Sequence, residues 1–329
     1  MFNAKFTRRA FAGTLITLAA LAGPAAFAQD AYPNKPIRIV VPYSPGGFTD
    51  ILGRLIAEKL QGQVGEAVIV DNKGGGGSTI GSALVARAPA DGYTLLLVAA
   101  DLAINESLME GRVSYDARKD FAPVIQAAWS PMVLVTHPSV PAKNLSEFIA
   151  LAKAKPGRIN VASGGTGTGS HLALELFKTR AGIELVHVPY KGHGPATSEL
   201  LGGQVSAMFL QYAVARPHIA AGKLRVLATP SGKRSPAMPD VPTIAESGLP
   251  GFDVQPWFGI VAPAGTPAPI VNKLHAEISK VMQRQDVKDK LATAGAVPAA
   301  LSPQEFASFI DSEVTRWAAV VKASGAKAE

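Results

Sequence analysis

The stretch Ile37-Arg38-Ile39-Val40-Val41-Pro42-Tyr43-Ser44-Pro45-Gly46-Gly47-Phe48-Thr49-Asp50 decides the fold. A β-branched run ends in a Pro/Gly turn, and Ile51, Leu52, Leu55, Ile56 and Leu60 then recur with helical period. The order is strand, tight turn, helix. Gly46 and Gly47 carry no Cβ, so the backbone there tolerates positive φ and lets a ligand come close. The helix they open points unsatisfied N–H groups, and the positive end of its dipole, at the strand's carboxyl end. Such a turn is a seat for an anion. Alone it is most simply a tight connection, but three more of the same kind follow.

Residues 67–70 form a second short strand, followed by Asp71-Asn72-Lys73-Gly74-Gly75-Gly76-Gly77-Ser78-Thr79 and a helix with Ile80, Leu84 and Val85. Residues 93–99 are a near-continuous apolar strand of the kind buried on both faces of a parallel sheet. It ends at Ala100-Asp101, and Asn105 lies in the next segment. The extended run 121–136, broken by Ser130-Pro131, suits a chain crossing between two lobes. Beyond it come a helix over 146–155 and a strand over 159–162. Ser163-Gly164-Gly165-Thr166-Gly167-Thr168-Gly169-Ser170-His171 is the third glycine turn, again opening a helix. A strand over 185–188 runs into the fourth, Pro189-Tyr190-Lys191-Gly192-His193-Gly194-Pro195. Strands over 205–210 and 224–228 finish this lobe, and 229–242 is the return crossing.

Thr266-Pro267 starts a further helix, with Thr capping and Pro in the first helical position. Ser302-Pro303-Gln304-Glu305 is a capping box, and Phe306, Phe309, Ile310, Val314, Trp317 and Val321 form a core-facing stripe behind it. Alternating strands and helices predict an α/β protein with mostly parallel sheets flanked by helices. The lobes are expected over 29–130 plus 233–329 and over 131–232.

Lys5, Arg8 and Arg9, an apolar run over 12–22 and Ala26-Phe27-Ala28 read as an export signal over 1–28. Its apolar core is shorter than the ~20 residues that span a bilayer. Thr7-Arg8-Arg9-Ala10-Phe11 also resembles a twin-arginine signal, so either the general secretory or the twin-arginine route is open. Removing 1–28 leaves 301 of the 329 residues and lowers the formal charge from +7 to +4. Scattered basic residues and few aromatics argue against nucleic acid. The absence of cysteine excludes disulfides and thiolate chemistry and removes most zinc sites.

Two glycine turns per lobe can face each other across a cleft at the carboxyl ends of the strands, where open α/β sheets bind ligands. They offer backbone N–H groups and neutral hydroxyls to a small polar or carboxylate ligand. The candidate ligand-binding residues are Ser44, Gly46, Gly47, Phe48, Thr49, Asp50, Gly77, Ser78, Thr79, Ser163, Gly164, Gly165, Thr166, Gly167, Thr168, His171, Tyr190 and Lys191. Asp50 suits the first turn of its helix; turned into the cleft, it would meet a ligand amine. No G-x-x-x-x-G-K-[ST] or G-x-G-x-x-G spacing supports a nucleotide. A hydrolase centred on Ser170-His171 or His193 lacks a G-x-S-x-G elbow and an evident carboxylate orienter. No metal, cofactor or catalytic residue is expected. His171, at a helix N-terminus, reads as a neutral hydrogen-bonding group, and His187 and His193 as structural.

Tyr32-Pro33-x-Lys35-Pro36-Ile37-Arg38, Pro45-Gly46-Gly47, Asp91-Gly92-Tyr93-Thr94, His187-Val188-Pro189-Tyr190-Lys191-Gly192, Pro239-Asp240-Val241-Pro242-Thr243 and Ala262-Pro263-Ala264-Gly265-Thr266-Pro267 occur in this order. Together they resemble the Bug receptors, the extracytoplasmic solute-binding proteins of tripartite tricarboxylate transporters, over essentially the whole mature chain. The resemblance implies a two-lobed, type II-like periplasmic-binding-protein fold with a cleft between the lobes. It also implies closure on a small carboxylate through loop backbone groups and handover to a membrane permease by a monomeric periplasmic protein. A ligand sensor feeding a membrane kinase would share the same cleft. The Gly74–Gly77 run departs from the family, which more often has a Pro after the basic residue and an Ala among the glycines. Phe48 is bulkier than the residue often found there, which would suit a flat aromatic acid.

Overall fold

The computed structural model describes residues 32–324 and 326, so the expected export signal lies outside the described residues. Chain order from Lys35 is β1 (Ile37–Val41), α1 (Phe48–Val64), β2 (Val68–Asn72), α2 (Thr79–Ala86), β3 (Thr94–Ala99), α3 (Asp101–Leu108) and β4 (Phe121–Trp129). Then come β5 (Met132–Thr136), α4 (Leu145–Ala154), β6 (Asn160–Ser163), α5 (Gly169–Ala181), β7 (Val186–Pro189), α6 (His193–Leu201), β8 (Ala207–Gln211), α7 (Tyr212–Ala220) and β9 (Arg225–Ala228). The chain ends with β10 (Trp257–Pro263), α8 (Ala268–Gln283), α9 (Gln285–Thr293), β11 (Val297–Leu301) and α10 (Pro303–Ser324).

Two sheets form, in the orders β11-β4-β10-β3-β1-β2 and β7-β6-β8-β5-β9. The expected mostly parallel pairing is corrected to a mixed one. Four strand pairs are parallel and five antiparallel. The crossings are the cause: β5 enters the second sheet against the direction of β8, and β10 returns to the first against β3 and β4. The crossing segments run side by side, with the Ser130 N–H donating to the Pro256 carbonyl over 3.2 Å. Tyr212 N–H bonds the Pro131 carbonyl beside them, over 2.9 Å.

β3 is apolar and buried from Leu95 onward because both of its faces are covered. The stripe on α10 packs as its period demands. Phe306, Ile310, Val314 and Trp317 are buried, and Trp257 of β10 meets Phe306 and Phe309 edge-on. Within that apolar layer Glu313 is 3% exposed and its Oε2 accepts both indole N–H groups, Trp257 and Trp317, each over 2.8 Å. The Ser302/Glu305 capping box forms, with Ser302 N–H donating to Glu305 Oε2 over 2.8 Å. Thr266 does not cap α8 as expected; its hydroxyl turns back to the Pro263 carbonyl over 2.7 Å and Pro267 takes the cap position.

Candidate functional site

The four glycine turns lie where strand polarity puts them, after β1, β2, β6 and β7, and they meet. Ser44 N–H donates to the Lys191 carbonyl over 2.9 Å. Gly46 lies so close to α6 that an added Cβ would stand 3.4 Å from Gly194 Cα. The side-chain amide of Asn105, on α3, donates to the Gly77 carbonyl over 2.8 Å. A Cβ on Gly77 would collide with the Thr166 carbonyl, and one on Gly167 with the Asn105 side chain. Turns from both sheets are therefore in van der Waals contact, backbone to backbone.

The second turn reaches across by an unusual path. Gly75, Gly76, Gly77 and Ser78 all have positive φ, of 139°, 57°, 60° and 82°. A left-handed turn of this kind costs a residue with a Cβ roughly 1–2 kcal/mol per position. Three of the four positions are accordingly glycine. Ser78 is buried in a conformation that its side chain disfavours.

In the first turn Asp50 takes the helix-turn role of its two readings, and the ligand-facing reading of Phe48 is corrected. Asp50 faces inward. Its carboxylate accepts the Gly46 N–H over 3.1 Å, the Asn72 amide over 3.0 Å and the Arg54 guanidinium over 2.9 Å. Burial works to raise its pKa, but these donors outweigh burial and hold it below the usual carboxylate range. Asp50 thus braces the turn, and no face of it is left for a ligand amine. Phe48 is likewise turned into the core, 1% exposed and edge-on to Phe258 with ring centroids 4.8 Å apart. It supports Phe258 from behind and presents no ring to a flat ligand.

The third turn is knit from within. Gly165 N–H donates to Ser163 Oγ over 3.0 Å, Gly164 N–H to Ser170 Oγ over 3.0 Å, and Gly167 N–H to His171 Nδ1 over 3.2 Å. Thr168 caps α5, taking the His171 N–H and giving its own proton to the Gly165 carbonyl. Because His171 Nδ1 accepts, its ring is the neutral hydrogen-bonding group expected. It stacks on His187, centroids 4.1 Å apart, and His187 Nε2 lies 2.6 Å from Ser163 Oγ. Burial, then the neighbouring His171 and Lys178, push His187 down to about 3. His193 Nε2 lies 3.0 Å from Ser170 Oγ, and burial lowers it to about 4. The histidines are internal props of the turn, and three of its N–H groups are already spent.

The remaining candidates divide between two spaces. A mouth of about 720 Å³ is lined by Ser44, Gly77, Thr79, Gly165, Thr166, Tyr190 and Lys191, together with Met109 and Arg112. Deeper, a cavity of about 30 Å³ is lined by Thr49 and Thr168 and by residues that the sequence reading did not single out as ligand contacts: Tyr43, Asp101, Ser170, His193 and Gln211. Gly164 packs on the His193 ring and Gly47 on the His193 Cβ; Ser78 is buried in the second turn. Tyr43 and Asp101 lie two residues beyond the ends of β1 and β3, and Gln211 ends β8. Position at a strand's carboxyl end is the signal that finds them. Among the described residues no group of three or more His, Cys, Asp or Glu is placed to hold a metal ion.

The family model described as "Tripartite tricarboxylate transporter family receptor" matches residues 52–326. Protein BugT of Bordetella pertussis is 41% identical over 317 residues, spanning 96% of this chain and 96% of BugT. Among solved structures, an R. palustris protein with adipate superposes with a TM-score of 0.86 at 35% identity, covering 89% of this chain and 98% of that one. MatC from Rhodopseudomonas palustris with bound malate gives 0.84 at 34%, covering 88% and 100%. The two-lobed fold, the paired glycine turns and these likenesses agree, and the chain belongs to the tripartite tricarboxylate transporter family receptors, the periplasmic solute-binding proteins of the Bug type.

Proposed function

We propose that this receptor closes its lobes on a small carboxylate and hands it to the permease subunits of a tripartite transporter. One observation carries the reading: four strand–turn–helix units, two from each sheet, converge backbone to backbone on one interface. Helix N-termini favour anions there without a counter-cation. The adipate and malate in the two R. palustris structures support the same ligand class. In this reading Ser44, Gly77, Thr79, Gly165, Thr166, Tyr190 and Lys191 meet the ligand at the mouth, and Thr49 and Thr168 meet it deeper in. Gly46, Gly47, Ser78, Ser163, Gly164, Gly167 and His171 shape the turns. The lobes are 29–130 with 233–329 and 131–232, and the mature protein, cut after Ala28, acts as a monomer.

A melting screen tests this. A ligand that binds only the folded state stabilises it by about 2.7 kcal/mol at a hundredfold excess over Kd. Short dicarboxylates, citrate, acidic amino acids, nicotinate and benzene dicarboxylates are set against sugars, neutral amides and cationic amino acids. At least one carboxylate is expected to raise the melting temperature; silence from all of them, with a shift from a sugar or a cation, overturns the reading.

A further inference from the structure

The deep cavity differs in chemistry from the mouth. Its volume is about 30 Å³, against about 720 Å³ at the mouth, room enough for a water or an ammonium group. Asp101 stands on its wall, 2% exposed, with the Tyr43 hydroxyl donating to its Oδ1. Across the cavity, on the other sheet, Gln211 is 5% exposed and its side-chain oxygen is buried without a protein partner. The wall thus sets one carboxylate and one uncommitted acceptor, from opposite lobes, around one small space.

The positive side is also present. α1, α5 and α6 begin at the same cavity through Thr49, Gly169 and His193, each helix start carrying about half a positive charge. Asp101 is the first residue of α3, so its charge answers that helix. A ligand carboxylate seated on α5 and α6 takes up the positive ends of those helices, so Asp101 keeps the partial charges of helix starts but lacks a full counter-charge. An ammonium on the same ligand supplies it, and its several N–H donors reach Asp101 and Gln211 together.

We propose that Asp101, with Gln211, selects within the carboxylates for acids that bear an ammonium group, the group lodging in the deep cavity and joining the two lobes. This rests on the reading of the cleft as a carboxylate site. Burial raises the Asp101 pKa because its charged form is poorly solvated, while the hydrogen bond from Tyr43 opposes the rise. A bound ammonium would provide the missing solvation.

Matched pairs test the selection: succinate against aspartate, glutarate against glutamate, adipate against 2-aminoadipate, each by melting shift and titration calorimetry. In the wild-type protein the amino member is expected to bind at least tenfold tighter in every pair that binds. Asp101→Asn is expected to weaken the amino member at least tenfold, spare the plain acid and bring the ratio near one. Gln211→Leu, distant in sequence and chemically milder, is expected to lower the same ratio, so the inference stays testable if the first variant does not fold. Plain acids binding as tightly as their amino partners overturn the inference and leave carboxylate binding standing, as does a ratio unmoved by the variants. Failure of every acid in both sets overturns the carboxylate reading and this inference with it.

Discussion

The Ser44 N–H donates to the Lys191 carbonyl over 2.9 Å, tying the first turn of one lobe to the last turn of the other. Two backbones can bond this way only if the lobes are shut, and Gly77 is where closure leaves no spare room. Gly77→Ala adds left-handed strain of roughly 1–2 kcal/mol and also drives a Cβ into the Thr166 carbonyl. Gly111 separates the two effects, because its φ is +72° and its added Cβ meets nothing within 4 Å. Both variants are expected to lose similar stability in urea. Only Gly77→Ala is expected to bind at least tenfold more weakly and to keep its radius of gyration when ligand is added, as read by solution scattering.

Glu313 gathers three donors within the core of the first lobe. Its Oε2 takes two indole N–H groups and its Oε1 takes Arg316, over 2.8 Å in each case. An orphaned buried donor costs about 1–3 kcal/mol. Glu313→Ala, which orphans both tryptophans, is therefore expected to lose about 2–6 kcal/mol in denaturant unfolding. Glu313→Gln keeps one oxygen and should lose less, while placing an amide against the Arg316 guanidinium. Equal losses from the two variants would show that packing, and not the acceptor, holds the tryptophans.

The props of the third turn make stability fall on acidification. His187 and His193 have folded-state values near 3 and 4, below the ordinary histidine value, so the unfolded chain binds more protons between those pH values and about 6.5. Their contribution is complete above pH 6.5 and drains as the pH drops, by at most about 1.4 kcal/mol per pH unit for each ring. Melting temperature is expected to decline from pH 6.5 toward pH 4. His193→Gln, which keeps a polar partner for Ser170, should flatten part of that slope; an unchanged slope would assign it to other groups.

How much of this was legible follows from what each signal encodes. Strand, glycine and helix succeed one another along the chain, so the turns at 44–50, 74–79, 163–171 and 189–195 could be read locally. Which way a side chain turns within a turn is set by partners far away in sequence. Asp50 is claimed by Asn72, and Phe48 by Phe258. Neither partner is visible from the helical period of α1, so the sequence leaves Asp50 open between its helix turn and a ligand amine and offers Phe48 to the cleft. The short elements α7, α9 and β11 were missed for a related reason. β11 alternates weakly and is held by pairing with β4, and α7 contains Pro217 and follows β8 with no turn signal between them. Asp101 and Gln211 come together only when the two sheets meet, which no stretch of sequence records.

Gly47 and Gly165 look equivalent in sequence, each a glycine in a strand-to-helix turn, and the backbone separates them. Gly47 has an ordinary φ of −86°, and a Cβ there would sit 3.5 Å from His193 Cβ, in normal contact. Gly165 has φ +129°, and its Cβ would stand 2.9 Å from the Tyr190 carbonyl and 3.5 Å from Gly77 Cα. Gly165→Ala must therefore shift either its own turn or the fourth one, where Tyr190 lines the mouth. It is expected to abolish the ligand-induced melting shift and to lower the melting temperature of the free protein. Gly47→Ala is expected to close normally and to keep most of the shift. If instead Gly47→Ala abolishes binding while scattering shows that the lobes still close, the ligand must approach Gly47 from the side its Cβ would occupy, and the His193 face becomes part of the binding surface.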